Sequence, residues 1–508
     1  MFNTHPINSV LAQFSIELPK PITLSTNSLI KNDSRIVEQG DVFCAVIGTE
    51  SDGRNFINAA LANNAGLVIA ECESEAEHGD VQTLTCTNGA SISQVSFFRL
   101  NQQLFELASA FYNYPQQRLS LIGITGTNGK TSISQLTANL LNALHNPCAV
   151  IGTNGAGLPN ALTEITNTTP GATELLAWLN KFDQQKIAYV AMEVSSHGLS
   201  QKRVDAALFD VAVFSNLSRD HLDYHGTMEN YAEAKYQLFT QKGNQTAVVN
   251  GDDQQAKTWL RNWPSAQPVI VYGRSYDIAN HAAYVQATNI RHSKLGASFT
   301  LHTHLGDIEI NSALLGDFNI DNLLAAIAVL LTQQATLVEI AAGVSTLMPI
   351  TGRMEAYSHD NLATTVVDYA HTPDGLKNAL QACRQHCQGQ LWVVFGCGGD
   401  RDKGKRPLMG AVAEQWADRL VITNDNPRKE QPQSIADEIL AGCKHAENIT
   451  LELDRQQAVE QTIKLAKPND VVLLAGKGHE NYIIIGDEKR VYDERALVSQ
   501  LYKSEATL

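Results

Sequence analysis

Apolar runs of strand length alternate with segments of helical spacing along most of this chain. Leu119–Ile124, Cys148–Gly152, Ile187–Val194 and Phe209–Phe214 are almost unbroken apolar runs, the pattern of strands covered on both faces. It returns at Thr365–Asp368, Leu391–Gly396, Leu420–Thr423 and Val471–Ala475. Helical spacing follows the first run at Ile133–Leu136, and residues 316 to 331 run from Gly316 to Ala326 into an apolar helix. Such alternation predicts mainly parallel sheets layered with helices, with ligands gathering at the carboxyl ends of the strands. Ahead of these, residues 1 to 100 read as short alternating strands around turns at Asp33-Ser34-Arg35, Gly40 to Gly48 and Asp52-Gly53. A helical segment at Gln102–Ala108 leads out of them. The expected fold class is α/β in three domains, residues 1–100, 101–347 and 348–508, since about 150 residues per domain is the ordinary size.

Composition narrows the partners. The 508 residues carry 38 Lys and Arg against 53 Asp and Glu, a net charge of −15, which disfavours nucleic acid or an anionic membrane as partner. No stretch approaches the roughly 18 apolar residues of a membrane span, and Met1–Pro6 lacks the features of a signal peptide. A cytoplasmic protein is expected, and a monomer. The eight cysteines are scattered, and Cys44, Cys148 and Cys397 stand in apolar runs, as buried thiols in a reducing compartment do. Cys383, His386 and Cys387 share one helical stretch, but without a second ligand pair they do not predict zinc.

The clearest chemistry follows Leu119–Ile124. Gly126-Thr127-Asn128-Gly129-Lys130-Thr131-Ser132 joins that strand to the next helix. Glycines let backbone N–H groups converge on phosphate oxygens, Lys130 adds a full charge, and a hydroxyl can hold Mg²⁺. The ligand is expected to be a nucleoside triphosphate. The common phosphate-loop spacing would put glycine at 124, where isoleucine stands, and glycines occupy 123, 126 and 129 instead. This argues against an ordinary GTPase or motor.

Polar clusters close the following strands. Asn167-Thr168-Thr169-Pro170 reads as a helix start, with Thr169 as N-cap and Pro170 as the first helical residue. Glu193 ends the third strand and leads into Ser195-Ser196-His197-Gly198, Gln201 and Arg203, where a carboxylate can hold Mg²⁺. The run from Asn216 to Gly226 crowds acids with His221 and His225, and a helical segment at Tyr231–Phe239 carries Lys235. By pattern alone Lys235 is a surface lysine whose stem lies along apolar neighbours.

Taken together, the 126–131 loop, Met192-Glu193-Val194-Ser195-Ser196-His197-Gly198, the Asn216–Gly226 run and the later motifs resemble the ATP-dependent Mur ligases of peptidoglycan assembly. The resemblance spans essentially the whole chain. It implies a small α/β domain that binds UDP, a central phosphate-loop ATPase domain and a C-terminal Rossmann-like domain. It also implies an amide ligase that activates a nucleotide-sugar peptide as an acyl phosphate and joins it to an amino acid, with ATP as co-substrate and Mg²⁺ as cofactor. A folylpolyglutamate synthase-like ligase shares this ATP machinery, and a nucleotide-sugar-binding regulator with a dead ATPase core is the non-catalytic alternative.

Carried onto this sequence, the resemblance implies catalytic roles for Lys130, Glu193, His221 and Lys235. Lys235 would be carbamylated and would join Thr131, Glu193 and His221 at the metal ions. ATP would be met by Gly126 to Ser132, Asn319, Arg353, Asp368 and His371, with Asn322 left to helix packing. The UDP-N-acetylmuramoyl dipeptide would be met by Asn32, Ser34, Thr49, Glu50, Ser51, Asn167, Thr168, Thr169, Ser195, Gln201 and Arg203.

Three late loops are assigned to the incoming amino acid. Arg401 lies in a basic glycine-rich stretch, Asp425-Asn426-Pro427-Arg428 follows a strand, and Gly476-Lys477-Gly478-His479-Glu480 follows another. Arginine meets a carboxylate through two parallel hydrogen bonds, so Arg401 and Arg428 suit an amino acid with a second carboxylate and Glu480 suits its ammonium. By resemblance, Asp-Asn-Pro-Arg is the signature of meso-diaminopimelate users, which adds Asp425, Asn426, Pro427 and Gly476 to that site.

Overall fold

The computed structural model describes residues 5–48, 51–205, 208–239, 245–293, 296–445 and 449–505. Two compact units emerge, and the chain passes between them several times. One comprises Met1–Thr125, Asn146–Ala212 and Arg219–Gln245, the other Gly126–His145, Val213–Ser218 and Thr246–Leu508.

In the first unit, five strands lie in the order Ile30–Lys31, Val42–Ala45, Leu67–Cys72, Ser91–Phe98, Val81–Thr85, and only the last pairing is antiparallel. Alternating strands were expected here, but Val42–Ala45 and Leu67–Cys72 are buried at every residue. Parallel pairing puts connecting helices over the sheet, so both faces are dry. Phe43, Ala60 and Val68 share one core cluster.

The same unit holds the strand Ser120–Thr125 beside Tyr189–Glu193, which pairs in turn with Cys148–Gly152, all parallel. Glu193 registers with Ile124, so a carboxylate stands at the end of the strand from which the chain runs into Gly126. The helix after Pro170 begins at Ala172 with Gly171 as N-cap. Thr169 is therefore not a cap, and Pro170 is not helical.

In the second unit, Lys130–Ala143 is a helix, and Thr246–Asn250, Val269–Gly273 and Tyr284–Ser293 run parallel. An antiparallel meander through Gly296–Thr303 and Gly306–Ser312 follows, which the strand-and-helix reading did not contain. A later six-stranded sheet is ordered Glu355–Tyr357, Thr364–Asp368, Val471–Ala475, Leu391–Phe395, Arg419–Ile422, Ile449–Leu451. All but its first pairing are parallel. Because Val471–Ala475 inserts between Thr364–Asp368 and Leu391–Phe395, the carboxyl ends of three strands from distant parts of the chain sit side by side, the usual place for a ligand crevice.

Candidate active site

The phosphate loop is held by neighbours as well as by its glycines. Gly129 has φ 87° at the helix N-cap, and a Cβ there would stand 2.4 Å from Asn322 Oδ1. Glycine is required on both counts. Thr127 N–H donates to the Asn216 carbonyl at 2.8 Å, Asn128 N–H to Asn216 Oδ1 at 2.9 Å, and Ser215 Oγ to the Asn128 carbonyl at 2.6 Å. Thr127 Oγ1 and Ser218 exchange hydrogen bonds at 3.2 and 3.0 Å. Lys130 Nζ donates to the carbonyls of Gly126 and Thr127, both at 2.9 Å. Thr131 and Ser132 are nearly buried at the helix start.

Asn319 donates to the Leu315 carbonyl at 2.9 Å and accepts from Asn322 Nδ2 at 3.1 Å. Asn322 thus does more than pack: it fixes the amide of Asn319 and abuts Gly129. Further along the same unit, Asp368 accepts from the N–H groups of Met354 and Ala370, both at 2.9 Å, while burial pushes its carboxyl above the usual range. Arg353 lies with its guanidinium 5.0 Å from the centre of the Tyr369 ring, and its buried Nε has no hydrogen-bond partner among the described residues. An orphaned buried donor of this kind suits an anionic ligand. His371 Nδ1 pairs with the Tyr369 carbonyl at 2.9 Å.

In the first unit, Glu193 is 1% exposed. Thr153 donates to it from N–H at 2.9 Å and from Oγ1 at 3.1 Å. These are neutral donors on a buried carboxylate, and hard anionic oxygen is the donor type that Mg²⁺ takes. Thr168 Oγ1 lies 3.1 Å from Thr153 Oγ1. Thr169 Oγ1 accepts from Ser195 N–H at 2.9 Å and contacts Ser195 Oγ at 3.1 Å, and the Thr169 carbonyl accepts from Arg203 at 3.2 Å. Gln201 reaches the Tyr224 hydroxyl at 3.3 Å. The structure therefore gathers Thr168, Thr169, Glu193, Ser195 and Arg203 around one strand end.

Lys235 is 1% exposed, with Nζ 4.3 Å from the centre of the Tyr231 ring, so the expectation of a surface lysine is corrected. A buried ammonium is costly, and helical spacing gave no sign of the tertiary cover. Nearby, His221 has φ 52° and its ring lies 4.8 Å from that of His197. Among the described residues, no three His, Cys, Asp or Glu side chains converge on one cation position.

Asn32 Oδ1 accepts from Thr173 at 2.8 Å, Ser34 is buried, and Ser51 and Asn167 are exposed. Thr49 and Glu50 lie outside the described residues. His386, which with Cys383 and Cys387 was not expected to bind zinc, accepts from Gly316 N–H at 3.1 Å and pairs through Nδ1 with the Ser293 carbonyl at 2.5 Å, so both ring nitrogens belong to the fold.

The amino-acid loops do converge. Lys477, fully buried, lies 2.9 Å from Asp425 Oδ1 and 3.1 Å from Glu480 Oε2, and donates to Asn426 Oδ1 at 2.8 Å and the Tyr482 carbonyl at 3.0 Å. Asn426 also donates to Glu480 at 3.0 Å. Although burial opposes charge on Asp425, the nearby Lys477 and Arg455 cations hold its carboxyl below the usual range. Arg428, at φ 50°, donates from Nη1 to the Gly399 carbonyl at 2.9 Å, and its backbone joins the Tyr482–Ile485 hairpin strand. A Cβ at position 398 would stand 2.9 Å from Arg428 Nη1 and 3.7 Å from Arg401 Cγ, so Gly398 separates the two arginines. Arg401 itself is exposed.

Three family descriptions match the chain in order: Mur ligase family, catalytic domain, at residues 27–112; Mur ligase middle domain at 124–330; and Mur ligase, glutamate ligase domain, at 352–478. A Haemophilus influenzae protein named UDP-N-acetylmuramoyl-L-alanyl-D-glutamate–2,6-diaminopimelate ligase is 43% identical over 471 residues, covering 93% of this chain and 95% of the relative. The chain belongs to the Mur ligase family. A solved structure of a Mur ligase with that same name aligns over 100% of both chains at 34% identity and a TM-score of 0.68. A Mycobacterium tuberculosis folylpolyglutamate synthase aligns over 73% of this chain at 17% identity and a TM-score of 0.59, a likeness of fold alone. The Mur ligase reading from sequence is thus borne out.

What sequence reasoning passed over are the supports: Ser215, Asn216 and Ser218 behind the phosphate loop, Thr153 on Glu193, Tyr231 over Lys235, and Lys477 among the acids. The available signal was position, since each lies within or beside a segment already singled out, though without a role assigned to it.

Proposed function

We propose that this Mur ligase adds meso-diaminopimelate to UDP-N-acetylmuramoyl-L-alanyl-D-glutamate, using ATP, in the cytoplasmic assembly of peptidoglycan precursor. The observation that carries the reading is the charge pattern at the carboxyl ends of the later sheet. Asp425 and Glu480 share Lys477, which leaves one net negative charge for a substrate ammonium. Arg401 and Arg428 stand nearby for the second carboxylate, which lysine lacks.

In this reading residues 1–100 hold the UDP group through Asn32, Ser34, Thr49, Glu50 and Ser51. Residues 101–347 bind ATP through Gly126 to Ser132 and Asn319, and hold the peptide through Asn167, Thr168, Thr169, Ser195, Gln201 and Arg203. Residues 348–508 supply Arg353, Asp368 and His371 to ATP, and bring the amino acid to Arg401, Asp425, Asn426, Pro427, Arg428, Gly476 and Glu480. The peptide carboxylate attacks the γ-phosphate to give ADP and an acyl phosphate. The diaminopimelate amine then attacks the acyl carbon, and phosphate departs as the amide forms. Thr131, Glu193, His221 and carbamylated Lys235 would hold Mg²⁺, which when bound supplies charge against which two anions approach. Lys130 neutralises further charge on the phosphates, and such electrostatic help is worth several kcal/mol.

The test is phosphate release with ATP and the nucleotide dipeptide, comparing meso-diaminopimelate with lysine. Release that depends on diaminopimelate and is much weaker with lysine is expected. Equal release with both amino acids, or release that ignores them, would overturn the reading.

A further inference from the structure

Behind the amino-acid loops lies a buried ion pair that none of the motifs contains. Arg455 and Glu494 are both wholly buried. The guanidinium meets the carboxylate in a fork, Nε to Oε2 at 2.5 Å and Nη2 to Oε1 at 2.9 Å, and the Tyr492 hydroxyl donates to Oε2 at 2.9 Å. Two further bonds of Arg455 end on backbone carbonyls. Nη1 reaches the Asn424 carbonyl at 3.1 Å and Nη2 the Ala475 carbonyl at 2.9 Å. Those two residues immediately precede Asp425 and Gly476. A single rigid, planar group thus ties the root of the Asp425–Arg428 loop to the root of the Gly476–Glu480 loop.

We propose that Arg455 is a positioning residue for the amino acid: it sets the spacing of these two loops, and so the placement of Asp425, Arg428 and Glu480 around the substrate. The inference rests on the proposed function for the identity of that substrate. The physical reason is that Arg455 can span the carboxylate and both carbonyls at once because its donors are fixed in one plane, whereas the single ammonium of lysine cannot hold that fork. The same guanidinium is one of the cations that keep Asp425 charged. A shift in loop spacing of an ångström is enough to weaken recognition strongly.

Two variants test it. Arg455→Lys keeps the charge and loses the span. The double variant Arg455→Leu with Glu494→Leu removes both charges, so that neither is left buried alone, and also removes the clamp. In each, KM for diaminopimelate is expected to rise by about tenfold or more, with KM for ATP and for the nucleotide dipeptide within about twofold, and the preference for diaminopimelate over lysine is expected to fall. Val459→Ala, a core truncation close by in the same helix, is the control: it should lower Tm without moving that preference. An unchanged KM and preference, or a parallel rise in all three KM values, would overturn the proposal. Failure of the unmodified protein to use diaminopimelate at all would instead overturn the functional reading.

Discussion

Lys477 Nζ stands 2.9 Å from Asp425 Oδ1 with no solvent exposure on the lysine. With its second ion pair, to Glu480 at 3.1 Å, it lets the Asp425 and Glu480 carboxylates of the proposed amino-acid site lie close together despite their like charge.

Lys477→Met should therefore be severe. Removing one partner of a buried ion pair leaves the other uncompensated, a cost of about 3–5 kcal/mol. Without that cation burial weighs more heavily, and the Asp425 carboxyl moves upward. The unfolding free energy from denaturant titration should drop accordingly, and the acid limb of kcat/KM for diaminopimelate should shift to higher pH. KM for ATP should change far less, because among the described residues Lys477 bonds to the amino-acid loops and the hairpin.

Arg428→Ala and Arg428→Lys should both lose selectivity for diaminopimelate over lysine more than they lose ATP affinity. The ammonium of lysine cannot reproduce the planar fork, and stranding a charged hydrogen-bond partner discriminates by about 1–3 kcal/mol or more. Steady-state titrations of the amino acids and of ATP, compared in each variant, measure the split. Equal losses in both would contradict the assignment.

Gly129→Ala should abolish nucleotide binding while leaving most of the fold intact. The φ of 87° is strained for alanine by about 1–2 kcal/mol, and the added methyl collides with Asn322 at the very loop whose N–H groups should face phosphate. Calorimetric titration with a non-hydrolysable ATP analogue reads the loss, and circular dichroism checks the fold.

His386 gives a pH prediction. Burial is the main cause that lowers its pKa, with His292 adding to it and the Ser293 carbonyl and Asp317 opposing. The folded state therefore prefers the neutral ring, which accepts from Gly316 N–H. Its contribution is fully present above the unfolded value near 6.5 and is lost as pH falls through the lower folded value. Tm should decline from pH 7.5 to 5.5 more steeply in the unmodified protein than in His386→Asn. Parallel declines would contradict this role.

Much of this protein was legible in its local chemistry, because backbone conformation and burial periodicity are properties of neighbouring residues. The apolar run Leu119–Ile124 and the glycines that follow specify a strand, a loop and a helix start wherever they occur, and the structure has Ser120–Thr125 and Lys130–Ala143. Val471–Ala475 appears at the residues the pattern gives. The three ordered family motifs needed no coordinates. Tertiary structure alone decided what becomes of charge and hydroxyl groups. Thr169 carries the sequence of a helix cap, yet its side chain and carbonyl serve Ser195 and Arg203. Lys235 has the spacing of a surface lysine, yet it is covered. Lys477 and Arg455 are ordinary cations in the chain, and only long-range packing brings their acids and carbonyls to them. The reason is that a charge can be buried only where distant segments supply its partners, and no local pattern encodes which segments those are.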